Sequence, residues 1–117
     1  MERLLRAVVN SWNGLRFAFR SEAAFRQELA VFVPAVPLAF LVTPDSWKRL
    51  ALIGVLMLLL VVELLNTAIE KLSDRVNPAL DPQIGRVKDM GSAAVGLTLL
   101  VAGAVWLLAL AERIGWL

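Results

Sequence analysis

The sequence predicts an all-α integral membrane protein, three transmembrane helices preceded by an amphipathic helix at the membrane interface, and three observations predict it. Hydrophobic residues make up 59% of the 117 and the mean hydropathy is +0.72, far above what a soluble domain of this size carries. Three stretches, residues 29–42, 50–69 and 93–111, are apolar enough to span. The lysines and arginines are distributed unequally between the segments that separate them. A single membrane domain over residues 1–117 is expected.

Each element follows in order. In residues 1–20, Leu4, Leu5, Val8, Val9, Trp12, Leu15 and Phe19 recur at helical spacing on one face, with Arg3, Arg6, Asn10, Asn13 and Arg20 on the other. That is the pattern of a helix lying in the interface. Ser21 is placed to cap a second helix opening with Glu22, which leads into span one. About thirty residues of charged sequence ahead of that span, and no small-residue cleavage site after it, argue against a signal peptide. Span one is short and holds Pro34 and Pro37. Thr43, Pro44, Asp45 and Ser46 form a brief polar turn, so spans one and two make a hairpin. Asn77-Pro78 and Asp81-Pro82 break the second helix, and residues 85–92 lead into span three.

Arg3, Arg6, Arg16, Arg20 and Arg26 precede the first span, and Lys71, Arg75, Arg86 and Lys88 lie between the second and third. Only Lys48, Arg49 and Arg113 fall on the other side. Positive charge inside puts the N-terminus and the second loop in the cytoplasm. The net charge of +2 and the pI of 9.7 are then explained by anionic lipid headgroups, with no nucleic-acid partner. Absence of cysteine excludes disulfides and thiolate metal sites, and absence of histidine leaves a carboxylate or an amine as general base.

Glu63, Asn66, Glu70 and Asp74 stand at i, i+3, i+7 and i+11, one stripe of a helix that starts inside the apolar layer and ends at its surface. An ionisable group within a span costs about 2.5 to 3.5 kcal/mol on insertion scales, which marks Glu63 as functional. No lysine or arginine lies at its depth to make a structural ion pair. The loop between spans two and three brings Glu70 and Asp74 toward Lys88, Asp89 and Ser92, with Glu22 and Glu28 at the same level. Carboxylates, an ammonium and a hydroxyl at one interface are the inventory of a Mg-nucleotide site. Glu63 lies about 10 Å deeper than Glu70 at 1.5 Å per residue, where a lipid hydroxyl would be found and could give up its proton. Asn66 reads equally as an interhelical contact; Arg75 and Arg86 read as interface markers, and Trp106 and Trp116 as interfacial anchors. No phosphate-binding glycine loop and no protein-kinase signature set is present. A polar stripe facing lipid would be costly, so an oligomer is expected.

Three blocks carry a resemblance: Glu22, Ala23, Ala24, Phe25, Arg26, Gln27, Glu28; then Val62 and Glu63 through Asn66 to Glu70, with Asp74 and Arg75 after it; then Gly85, Arg86, Val87, Lys88, Asp89, Met90, Gly91, Ser92. Together they resemble the prokaryotic diacylglycerol kinase family, three-span inner-membrane enzymes that work as homotrimers. The resemblance implies ATP-dependent phosphorylation of a lipid hydroxyl, with Glu63 as proton acceptor and Glu22 and Glu70 binding the Mg²⁺ that bridges the ATP phosphates. It implies ATP contacts from Lys88 and Asp89, with Arg3, Asn10 and the loop of Ala79, Leu80 and Asp81 closing over the nucleotide. Ala24, Phe25, Arg26, Gln27 and Glu28, with Ser92 and Trp106, would line the lipid alongside Glu63 and Asn66. At Asn10 the better-known members carry tyrosine, a departure from the pattern. The block at 22–28 is closer to the diacylglycerol-specific branch than to the undecaprenol kinases, so diacylglycerol is the expected substrate and undecaprenol the alternative. A small proton-coupled transporter is the rival from another class. Glu28 is expected to reach the stripe from a neighbouring chain.

Overall fold

The computed structural model describes residues 1–76, 79 and 81–117. Among the described residues four helices follow one another: α1 Glu2–Ser21, α2 Ala23–Val42, α3 Ser46–Val76 and α4 Pro82–Arg113. The last three are long and apolar enough to cross a membrane. α3 is central, packed along α4 and against α2, while α2 and α4 barely meet. The chain is a thin slab, 52 × 41 × 22 Å, with a radius of gyration of 17.3 Å against about 13 Å for a globular chain of this length. Most large apolar side chains stay exposed, as they can where the surroundings are hydrocarbon.

The corners have local causes. Between α1 and α2 a single residue, Glu22, is extended (φ −114°, ψ 111°). Ser21 does not cap α2 as expected: it remains the last residue of α1, and no side chain caps α2. The Glu22 amide instead reaches back to the Ala18 carbonyl at 2.9 Å. Arg26 then donates to the carbonyls of Phe19 (2.8 Å) and Arg20 (3.0 Å), covering acceptors that the end of α1 leaves without partners. Ala18, Phe25 and Leu60 form a small core beneath this corner. Pro34 and Pro37 lie inside α2 without ending it, although each removes one helix hydrogen bond.

The 43–46 turn is as short as expected. Thr43 Oγ1 accepts from the Asp45 amide (3.1 Å), and the Asp45 carboxylate accepts from the amides of Trp47 (2.8 Å) and Lys48 (3.3 Å), capping α3. Beside it, Ala39, Val42, Leu52 and Ala109 close a second core. Residues 85–92, expected to lead into span three, are already helical, because α4 starts at Pro82. Asp81 caps that start, accepting from the amides of Gln83 (2.8 Å) and Ile84 (3.5 Å), and a proline at the first helical position needs no donor. The consequence is geometric: Lys88, Asp89, Gly91 and Ser92 sit on a rigid helix beside α3 rather than in a loop.

Candidate active site

The stripe on α3 runs from buried to exposed. Glu63 is 7% exposed and Asn66 9%, Glu70 is half-buried and Asp74 is exposed. Thr67 and Ser73 are buried on the same helix. Asn66 Nδ2 donates to Glu70 Oε1 at 3.2 Å, linking consecutive members of the stripe. Glu63 is in electrostatic contact with both Glu70 and Glu22, and no basic residue forms a salt bridge with it among the described residues. Glu28, expected from a neighbouring chain, is in electrostatic contact with Glu63 of its own chain, with its Oε2 buried and without a hydrogen-bond partner. Carboxylates from α2, α3 and the α1–α2 corner therefore surround Glu63 electrostatically, Glu28, Glu22 and Glu70 each acting on it. Like charges acting on one another in this way favour a cation or a donor beside them.

The cations nearby are spoken for. Lys71 pairs with Glu22 at 3.3 Å and lies over the Phe17 ring, 5.3 Å from its centroid. Lys88 pairs with Asp74 across the α3–α4 contact. The Glu22 carboxyl is held below its ordinary pKa, first by its hydrogen bond with Ser21 and then by the Lys71 ammonium, so it is an anion at neutral pH and a ready oxygen donor. Glu22 and Glu70 fit a Mg²⁺ ion in the chemistry of their donors, since Mg²⁺ is often held by one or two carboxylates and completed by water and phosphate oxygens. No group of three or more such ligands is preassembled among the described residues.

Of the residues expected to line the lipid, Gln27, Glu28 and Trp106 border one apolar groove of about 700 Å³, walled by Val31, Pro34, Leu56, Leu59 and Leu99. Trp106 is fixed there by its indole N–H, which donates to the Leu52 carbonyl at 3.1 Å. Phe25 is instead buried against Ala18 and Leu60, and Arg26 is engaged with the end of α1. Ala24 and Ser92 are exposed and do not border the groove. Of the expected nucleotide contacts, Arg3 and Asn10 share a shallow depression on α1 with Glu2 and Arg6. Asp89 is exposed on α4, Asp81 caps the same helix, and Ala79 precedes that cap, its carbonyl accepting from the Asp81 amide at 2.9 Å. Leu80 lies outside the described residues.

Two features were not foreseen. The charge distribution marks Lys71 only as a sign of topology, yet Lys71 is the partner of Glu22. Gly91, where α4 comes against Asn66, carried only the faint signal of a glycine among the small residues of its block.

The model of the prokaryotic diacylglycerol kinase family matches residues 9–110. Over 113 residues the chain is 42% identical to a diacylglycerol kinase of Escherichia coli, covering 97% of this chain and 93% of that one. It is 43% identical to one of Pseudomonas aeruginosa, covering 91% and 86%, and 34% identical to one of Haemophilus influenzae, covering 91% and 90%. The chain belongs to the prokaryotic diacylglycerol kinase family. It is accordingly a multi-pass membrane enzyme of the lipid kinase class.

Proposed function

We propose that the chain transfers the γ-phosphoryl group of ATP to the hydroxyl of 1,2-diacylglycerol, giving phosphatidic acid and ADP. The observation that carries this reading is Glu63, a buried carboxylate with no cationic partner among the described residues, at the deep end of a stripe whose shallow end meets Glu22, Glu70 and Lys88. The lipid hydroxyl would lie at Glu63, which takes its proton as the oxygen attacks the γ-phosphorus and the bond to the β-phosphate oxygen breaks. Glu22 and Glu70 would hold Mg²⁺, whose charge offsets that of the ATP phosphates. Lys88 and Asp89 would contact ATP, with Lys88 exchanging Asp74 for a phosphate oxygen, and Arg3, Asn10, Ala79 and Asp81 closing from the α1 and loop sides. Gln27, Glu28, Asn66 and Trp106 would orient the lipid, its acyl chain lying in the apolar groove.

Residues 29–42, 50–69 and 93–111 are then the spans, in a bacterial inner membrane with the N-terminus cytoplasmic, and α1 rests on that face with Leu4, Leu5, Val8 and Trp12 toward lipid. All four are exposed in the single chain. The working unit is a homotrimer. In support, α4 buries only Gly91, Ala102 and Ala109 within one chain, which leaves most of its surface for neighbours or lipid.

The test is phosphate incorporation from ATP by purified protein in mixed micelles that offer diacylglycerol and undecaprenol together. Diacylglycerol is expected to be the labelled lipid. Preferential labelling of undecaprenol transfers the reading to that alternative, and no labelling of either lipid removes it.

A further inference from the structure

Gly91 differs from the other helical glycines in what its missing side chain spares. A Cβ there would lie 2.3 Å from Oδ1 of Asn66 and 3.4 Å from its Cγ, whereas Gly14, Gly54, Gly85, Gly96 and Gly103 have nothing within 4 Å of the same position. Glycine is disfavoured inside a helix relative to alanine, so its place in this contact calls for a cause, and the cause the geometry offers is Asn66. The two ends of that amide have opposite fates. Its nitrogen donates to Glu70 Oε1 at 3.2 Å. Its oxygen is turned to Gly91, buried and without a hydrogen-bond partner, an arrangement that costs free energy and persists only if the surroundings impose it.

We infer that Gly91 is a positioning residue for Glu70, acting through Asn66. By letting the α4 backbone come directly against the amide, Gly91 holds the nitrogen toward Glu70, which engages Oε1 and leaves Oε2 for the divalent ion. A side chain at position 91 has no room beside Oδ1, and the group that must turn aside is the amide whose other end steadies Glu70. This inference rests on the reading of Glu70 as a metal ligand and deepens it.

The test measures Mn²⁺ binding by electron paramagnetic resonance, with a non-hydrolysable ATP analogue present. Gly91→Ala should weaken Mn²⁺ binding about 10-fold or more, the effect typical of disturbing the partner of a metal ligand. Asn66→Ala should weaken it similarly, and adding Gly91→Ala to Asn66→Ala should do nothing more, because the clash is gone. Gly96→Ala, on the same helix in open space, should bind as the parent. Should Gly91→Ala fail to fold, Asn66→Leu, similar in shape and without the donor, decides alone by the same loss. Parental Mn²⁺ binding by Gly91→Ala or by Asn66→Leu, where Glu70→Gln has lost it, overturns the inference and leaves the metal reading standing. Parental binding by Glu70→Gln overturns both.

Discussion

The two ends of the α3–α4 pair use polar groups in opposite ways. At the end near the 43–46 turn, the basic side chains meet partners that complete the fold. Arg49 donates to the Thr43 carbonyl at 2.8 Å and stacks on Phe40 at 4.5 Å, Arg113 donates to the Leu41 carbonyl at 3.4 Å, and Lys48 meets Glu112 at 3.2 Å. The two arginines finish the carbonyl end of α2, which has no further helix to bond. At the other end Glu22, Glu28, Glu63 and Glu70 gather around too few cations, and Glu28 Oε2 and Asn66 Oδ1 are buried without partners. The first end is complete in itself. The second leaves buried polar atoms without partners, and it is the end to which the proposed chemistry is assigned.

The largest expected effect tests that division at its centre. Glu63→Gln keeps shape and removes the proposed base, so turnover should fall by roughly 10² or more, about 2.7 kcal/mol of barrier, while nucleotide binding stays near parental. Steady-state kinetics and equilibrium binding of an ATP analogue check it, and near-normal turnover would erase the contrast. Next, Glu22→Gln or Glu70→Gln should raise the magnesium concentration for half activity by on the order of 10-fold, as each removes one of the few proposed oxygen ligands. Lower activity with an unchanged magnesium titration would make these residues positioning groups.

How far this contrast was legible in the sequence depended on the range of the interaction. Glu63, Asn66 and Glu70 were found because helical periodicity is a local property, and the four helices follow from apolar runs and from Pro44, Asp45, Asp81 and Pro82. Where local rules competed, they misled. Ser21 is a good capping residue, yet Arg26 and the Ala18 carbonyl satisfy the corner and leave Ser21 helical. Residues 85–92 looked like a lead-in because prolines precede them, whereas Pro82 opens the helix. The pairing of Lys71 with Glu22 and the approach of Gly91 to Asn66 depend on how α3 meets its neighbours, which no single segment encodes.

On the side that completes the fold, Arg49→Met removes a charged hydrogen bond and a cation–π contact, and should cost about 1 to 2 kcal/mol of stability with turnover unchanged in the folded fraction. Unfolding in mixed micelles followed by circular dichroism measures the first, and an assay normalised to folded protein the second. A smaller effect is expected from Lys71→Met, and it has a sign. The Glu22 pKa is depressed in the folded chain, so its contribution to stability is present above the ordinary carboxylate pKa and lost as pH falls through the depressed value. Removing Lys71 takes away part of that depression and leaves the Ser21 bond, so the acid loss of stability should be smaller and should be complete at a higher pH. A pH series of unfolding curves in which parent and variant coincide would show that Lys71 contributes nothing to holding the α1–α2 corner.

The smallest effect concerns the pair of Lys48 and Glu112, and it sharpens the comparison by being nearly absent. Both side chains are substantially exposed, 47% and 41%, and an ion pair in that setting gains little because water and salt screen it and two long side chains must be held in one geometry. The turn beside it is already held by Asp45 and Thr43, whose hydrogen bonds cap α3 and order the chain whether or not Lys48 is charged. Lys48→Met should therefore change stability by no more than about 0.5 kcal/mol and leave turnover and the magnesium titration as in the parent. The informative failure is a specific one. If Lys48→Met unfolds like the parent but turns over more slowly, a group at the completed end acts on the reaction without acting on the fold, and the division between a structural end and a chemical end no longer holds.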